Sequence, residues 1–516
     1  MGHTMPRRIV TGSVLTLVAL LIVAAVHGQS SPSDDPTSDG ASFVPNGTLF
    51  PNPGGTSSTY SDSTNNGIDL TGPFFQNLGT NGRSCGSCHQ PSDGMSVSAA
   101  HVQERFDATG GLDPIFRTVD GSNCNHDINV STEKKRSEAY SLLRTRGLIR
   151  VGIAVPSTAD FDIERVDNQY GCDETSTISM YRRPLPSTNL RFLSAVMFDG
   201  RESSPATGTT KIIYSNYPDA LLADLAHQSV DATNGHAEGS GLTAAQQKQI
   251  VDFEMALFTA QTSDSHGNLL NARGGNGGPR PLVKQPFFIS INSSVNFLLP
   301  EFEQPGGLKR PGDGKFSPEI FNTFDAWAQL PSADSRAAIA RGQALFNSTP
   351  IDITGVAGIN DDKARGGLVA GGIPSLTGTC GTCHDTPNVG NHSFPTPLNI
   401  GVGDPNPHKP RVSLGGLDIN YLPRIKACKK DPTTQLPDRY NCVITTDLGQ
   451  ALIDGKFDHI GKLKGPILRG LSARAPYFHN GSAQTLLDVV KFYEVRFGVS
   501  FTPQEEDDLV AFLSAL

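Results

Sequence analysis

Apolar positions recur at helical spacing in three stretches of the chain. Thr243 precedes a run in which Gln246 lies three residues on, and Ile250, Phe253 and Leu257 share one face, so a capped amphipathic helix is expected there. Thr502-Pro503-Gln504-Glu505 is a capping box with proline at the first helical position. It leads into Leu509, Phe512, Leu513 and Leu516, again one apolar stripe. Ser332 to Phe346 has helix-forming composition, with Ile339, Gly342 and Phe346 on one side. The apolar run from Val14 to Val26 is different in kind. It is continuous, follows Arg7 and Arg8, and breaks at His27-Gly28-Gln29. That is the pattern of a secretory signal peptide, and it falls short of the roughly 20 residues a membrane span requires. The expectation is export to the periplasm, cleavage near Gly28, and no membrane span in the mature chain.

Composition adds the outline of a loop-rich, exported protein. Residues 29–45 are rich in Ser, Asp, Pro and Gly and read as a flexible leader. The rest of the 516-residue chain is too long for one core. Arg273-Gly-Gly-Asn-Gly-Gly-Pro279 has linker composition. The expected division is an N-terminal domain over 46–272, a linker or interface segment over 273–330, and a C-terminal domain over 331–516. Its 54 glycines and 36 prolines predict long irregular loops, and a net charge of −9 argues against a nucleic-acid partner.

The chemistry resides in the cysteines. Cys85-Gly-Ser-Cys88-His89 and Cys380-Gly-Thr-Cys383-His384 are two Cys-X-X-Cys-His motifs. In such a motif both thiols can form thioethers with a haem and the histidine can ligate its iron. A lone match could be a zinc half-site or a redox dithiol; two, each followed by a segment closing in a helix, point to two covalently bound c-type haems. Cys124, Cys172, Cys428 and Cys442 remain. Proximity favours Cys124–Cys172 and Cys428–Cys442 disulfides in an oxidising compartment, with free or metal-bound thiols as the alternative. A helix before and after each motif would make a mainly α protein of two cytochrome c-like domains, each around one covalent haem.

The segment Lys464-Gly-Pro-Ile-Leu-Arg469 through Ala475-Pro476-Tyr477-Phe478-His479-Asn480-Gly481 resembles the bacterial di-haem cytochrome c peroxidase family, which includes the enzyme that matures methylamine dehydrogenase. Met197-Phe198-Asp199-Gly200-Arg201-Glu202 is similar to that family's Phe-Trp-Asp-Gly-Arg-Ala segment. The resemblance spans roughly residues 70–260 and 335–516. It implies that the haem on His89 reacts with hydrogen peroxide or oxygen, and that the haem on His384 passes it electrons from a small donor such as a cytochrome c or cupredoxin.

The departures are as informative. The peroxidases place a Met ligand fourteen residues after the histidine corresponding to His479. Tyr493 stands there, as Tyr does in the maturation enzyme, and no Met follows Met255. Tyr493 is therefore the expected sixth ligand of the second haem, with His479 as the alternative. The Gln and Pro of the family's distal pocket align with Leu225 and Ser229. His236 falls near the family's Glu and Glu238 is close by. His236 is the candidate acid–base group, or a ligand that closes the site, and His101 is a second possible ligand. The family's Trp between the haems is Phe198, and the Thr of its calcium site is Arg474, which counts against calcium. The expected activity is that of a peroxidase-like oxidoreductase. A di-haem oxygenase or oxidase and a non-catalytic electron-transfer cytochrome are the alternatives.

Overall fold

Helices enclose the second motif as the apolar spacing predicts. In a computed structural model of the chain, the Ser335–Ser348 helix is capped by Asp334 and the Pro503–Ser514 helix by a Thr502–Glu505 capping box. They cross at Gly342, where an added Cβ would lie 1.9 Å from the Asp508 carbonyl oxygen. Arg341 locks the crossing with paired 2.7 Å bonds to the Asp508 carboxylate. Phe346, Phe512, Leu509 and Leu513 fill the space beneath, joined by Phe324 and Trp327. The structure describes residues 1–2, 41–203, 221–285, 320–362, 367, 370–387 and 396–516. The expected signal peptide, most of the leader, and 286–319 of the linker segment lie outside them.

Around the first motif only the following helix has its counterpart. Thr243 and Gln246 form the capping box of the Ala244–Met255 helix. That helix ends before Leu257, which opens the Leu257–Ser263 strand instead. Ahead of the motif stands a single 3₁₀ turn, Pro73–Phe75, whose Phe74 packs against Phe253 with ring centroids 4.8 Å apart.

The expectation of a mainly α protein is incorrect. The described residues are 30% helix and 20% strand, the strands gathered in several small sheets. Gly55–Ser61 pairs with Leu257–Ser263 and Phe50–Asn52. Ile149–Ala154 pairs with Thr177–Arg182, and Arg424–Lys430 lies between Pro437–Thr445 and Phe161–Asp167. The reason lies in the loops. Long connections that cover a core must satisfy their backbone groups, and here they do so by pairing with one another. Disulfides Cys124–Cys172 and Cys428–Cys442 staple two of these connections.

By internal contacts the chain divides into Met1–Gly40 and Ala41–Leu516. Both motifs lie in the second unit. Within it, the Phe161–Asp167 strand of the first half is hydrogen-bonded to the Arg424–Lys430 strand of the second.

Candidate functional site

The two Cys-X-X-Cys-His motifs fold identically for a local reason. Each runs through a 3₁₀ turn, Cys85–Ser87 or Cys380–Thr382. The hydroxyl at its third position accepts from the backbone N–H that precedes the first cysteine: Ser84 to Ser87 at 3.0 Å, Thr379 to Thr382 at 2.8 Å. The histidine N–H then bonds back to the first cysteine carbonyl at 3.0 Å in both motifs. Glycine is required inside the turn. A Cβ on Gly86 would lie 2.5 Å from the Phe75 ring, and one on Gly381 would lie 1.8 Å from Ile320. All four cysteines are outside the disulfides.

Each motif opens onto a cavity. The first, about 1430 Å³ with its open mouth included, is lined by Cys85, Cys88 and His89; the second, about 1860 Å³, by Cys380, Cys383 and His384. Arg183, Pro184, Leu185, Phe198, Lys464 and Ile467 line both, so these residues are the wall between the cavities. Met197 and Phe478, next to the wall residue Phe198 and to His479, have φ of 68° and 65°. A non-glycine residue holds this left-handed conformation only where its surroundings impose it.

The two motif histidines are held differently. His89 Nδ1 lies 3.0 Å from the Met95 carbonyl and 3.1 Å from Ser187 Oγ, so Nδ1 carries the proton and Nε2 keeps its lone pair. His384 Nδ1 is buried without a partner among the described residues. Burial pushes both imidazoles down to about 4, which keeps them neutral and able to ligate a metal.

The Leu221–His236 helix presents Leu225, Gln228, Ser229, Ala232, Thr233 and His236 to the first cavity. His236 Nδ1 is bonded to the Asp120 carboxylate, which also pairs with Arg83. Burial raises the Asp120 carboxyl, but Arg83 and His236 outweigh it and hold the group below the usual carboxylate range. Glu238 is exposed, outside the cavity lining, at φ 53° in the turn beyond the helix. His101 is also outside the lining and bonds Asp93 at 2.5 Å. Gln228, Asp120 and the buried Glu254 are among the lining groups that escaped the sequence reading. Gln228 has a visible signal, its helical spacing from Leu225 and Ala232.

In the second cavity Tyr493 and His479 are both lining residues. Burial pushes the Tyr493 phenol well up, with the Cys383 and Cys380 sulfurs close enough to add to the effect. His479 Nε2 is buried without a hydrogen bond, 3.9 Å from Asp447. Trp327 is outside both linings, stacked on Phe324 at 4.7 Å. Arg474 donates to the carbonyls of Ile467 and Arg469.

The wall is strongly cationic. Arg183 and Lys464 are buried in it, Arg474 lies half-buried beside it in the second cavity, and all three bond only carbonyl oxygens, with no carboxylate at salt-bridge distance among the described residues. Burial pushes Lys464 down to about 8 and Arg474 to about 10. It also takes Arg183 to about 9, where the Arg474 charge adds to the effect. Buried charge without a counter-ion is costly, and a negatively charged group in either cavity would offset that cost.

Over 204 residues the chain is 41% identical to the cytochrome-c peroxidase IdrP1 of Denitromonas iodatirespirans. The match covers 37% of this chain and 44% of that protein, so the chain matches less than half of the relative's length. No family model matches the chain. A structure of Kuenenia stuttgartiensis hydrazine synthase aligns with 81% of this chain and 93% of its own, at 14% identity and a TM-score of 0.30, too low to bear on fold or function.

Proposed function

We propose that the protein is an exported, periplasmic peroxidase-like oxidoreductase holding two covalent haems, one in each cavity. The observation that carries this reading is the pair of identically folded Cys-X-X-Cys-His turns, each opening on a large cavity, with one shared cationic wall. The residues fit the group: Cys85, Cys88, Cys380 and Cys383 would form the thioethers, His89 and His384 would ligate iron, and haem propionates would neutralise Arg183, Lys464 and Arg474. Bound haem supplies the redox chemistry with hydrogen peroxide and the one-electron transfers that follow.

The chain's own residues supply position and protons. Asp120 holds His236 by Nδ1, which leaves Nε2 to take a proton from one peroxide oxygen and return it to the other. Gln228, on the same helix face, can donate to a bound oxygen. Phe198 fills the wall where the family has Trp, so no indole is available there to hold an oxidising equivalent. Tyr493 would supply a further ligand to the iron of a haem in the second cavity, with His479 the competing ligand. The electron donor is a small reduced protein such as a cytochrome c or cupredoxin.

The reading is tested on protein matured in a periplasm able to attach c-type haem. Two haems per chain by pyridine haemochrome, and peroxide turnover with a reduced small cytochrome, are expected. Absence of covalent haem would overturn the proposal. Two fully loaded haems with no turnover would reduce the protein to an electron carrier.

A further inference from the structure

Glu254 has no place in the chemistry derived so far, yet it is among the most constrained acids in the protein. It lies on the Ala244–Met255 helix, lines the first cavity, and is only 4% exposed. Oε2 has no hydrogen-bond partner among the described residues, and the Ser187 hydroxyl is near enough to favour the ionised carboxylate against the burial that disfavours it. Ser187 Oγ in turn lies 3.1 Å from His89 Nδ1. The hydroxyl has one proton. If it donates to Glu254, its oxygen lone pair faces the Nδ1–H of His89, so the hydrogen bonds run one way from imidazole to carboxylate.

We propose that Glu254 is a positioning residue that acts through Ser187 on His89 and sets how strongly that imidazole donates to the iron it ligates. This rests on the reading of His89 as a haem ligand. A carboxylate at the end of the relay polarises the Ser187 hydroxyl, which strengthens its oxygen as acceptor and moves electron density toward Nε2. The Met95 carbonyl at 3.0 Å fixes the ring's orientation but cannot supply that charge. The second cavity is the internal control, since His384 Nδ1 has no partner among the described residues. Two motifs with the same fold are thereby made electronically unequal on the side away from substrate. Burial of the acid pushes Glu254 up to about 8, so its charge state is poised rather than fixed.

The test uses the haem-loaded full chain and its Glu254→Gln and Ser187→Ala variants. Haem content is measured first, then the midpoint potential of each haem and the iron–histidine stretch by resonance Raman at alkaline pH. Both variants are expected to raise the potential of the first haem and lower its iron–histidine frequency, with the second haem unmoved. The double variant should shift no further than the larger single. Fully loaded variants with unchanged potential and stretch would overturn the inference alone, as would equal shifts at both haems. Wild-type protein with no haem on Cys85 and Cys88 would overturn the proposed function with it. If Ser187→Ala fails to load, the near-isosteric Glu254→Gln decides.

Discussion

At the second cavity two lining side chains, Tyr493 and His479, would compete to ligate a haem iron, and their surroundings differ. His479 is neutral, at about 4, and its Nε2 would gain a partner by ligation. The Tyr493 phenol is pushed up by burial and becomes phenolate only against a strong positive charge, which ferric iron provides. We therefore expect Tyr493→Phe to change the spectrum of the second haem, and His479→Ala to leave the axial bands in place; the reverse pattern would reassign the ligand. At the first cavity, His236→Ala should slow the reaction with peroxide by about 10²–10⁴-fold, the usual worth of a general acid–base group, as followed by stopped flow. The motif residues were legible in the sequence because their geometry is local, written within five positions. Glu254 was not, because its relay exists only once Ser187 and His89, 98 residues apart in sequence, have been brought together. Glu238 misled for a related reason: sequence proximity to His236 says nothing about the turn that carries it away from the cavity.

Helices and strands were not equally readable. The Pro503–Ser514 helix declared itself through its capping box and stripe, and Gly342 stood on the expected face of its partner. The reason for a glycine there is tertiary: the Asp508 carbonyl occupies the space of a side chain. Gly342→Ala should accordingly destabilise the protein by about 1–3 kcal/mol, the range for overpacking a tight contact. Thr502→Ala, which removes only a cap, should cost about 1 kcal/mol. Urea midpoints of the two variants against wild type check the order. The strands were hidden because their residues look like loop. Gly55–Ser61 reads Gly-Thr-Ser-Ser-Thr-Tyr-Ser, with no apolar alternation, and its burial comes from hydroxyl pairs such as Thr59–Thr259 at 2.8 Å rather than from a hydrophobic face.

Across the whole molecule, Arg182 joins the two cavities' surroundings. It lines the first cavity and bonds Asp199 at 2.5 Å and Asp447 at 2.7 Å, and Asp447 reaches toward His479 in the second. Burial works against the charges, but Arg201 and Arg182 hold Asp199 at about 2, while Arg182 keeps Asp447 below the usual carboxylate range. These depressed acids stabilise the fold above their unfolded values and lose that contribution as pH falls through the folded ones. Glu254 has the opposite sign. Raised from 4.5 to about 8, it favours the folded state fully at acid pH, and that contribution is lost as pH climbs through this interval. Lys464, lowered from 10.5 to about 8, pulls the other way on the alkaline side, so the raw pH profile of wild type mixes the two. The difference between wild type and Glu254→Gln isolates the acid. Urea midpoints from about pH 5 to about pH 9 should show wild type losing ground relative to the variant as pH rises, because glutamine never has to ionise in the cavity wall. A constant difference across that range would mean that Glu254 does not titrate differently in the folded and unfolded chain.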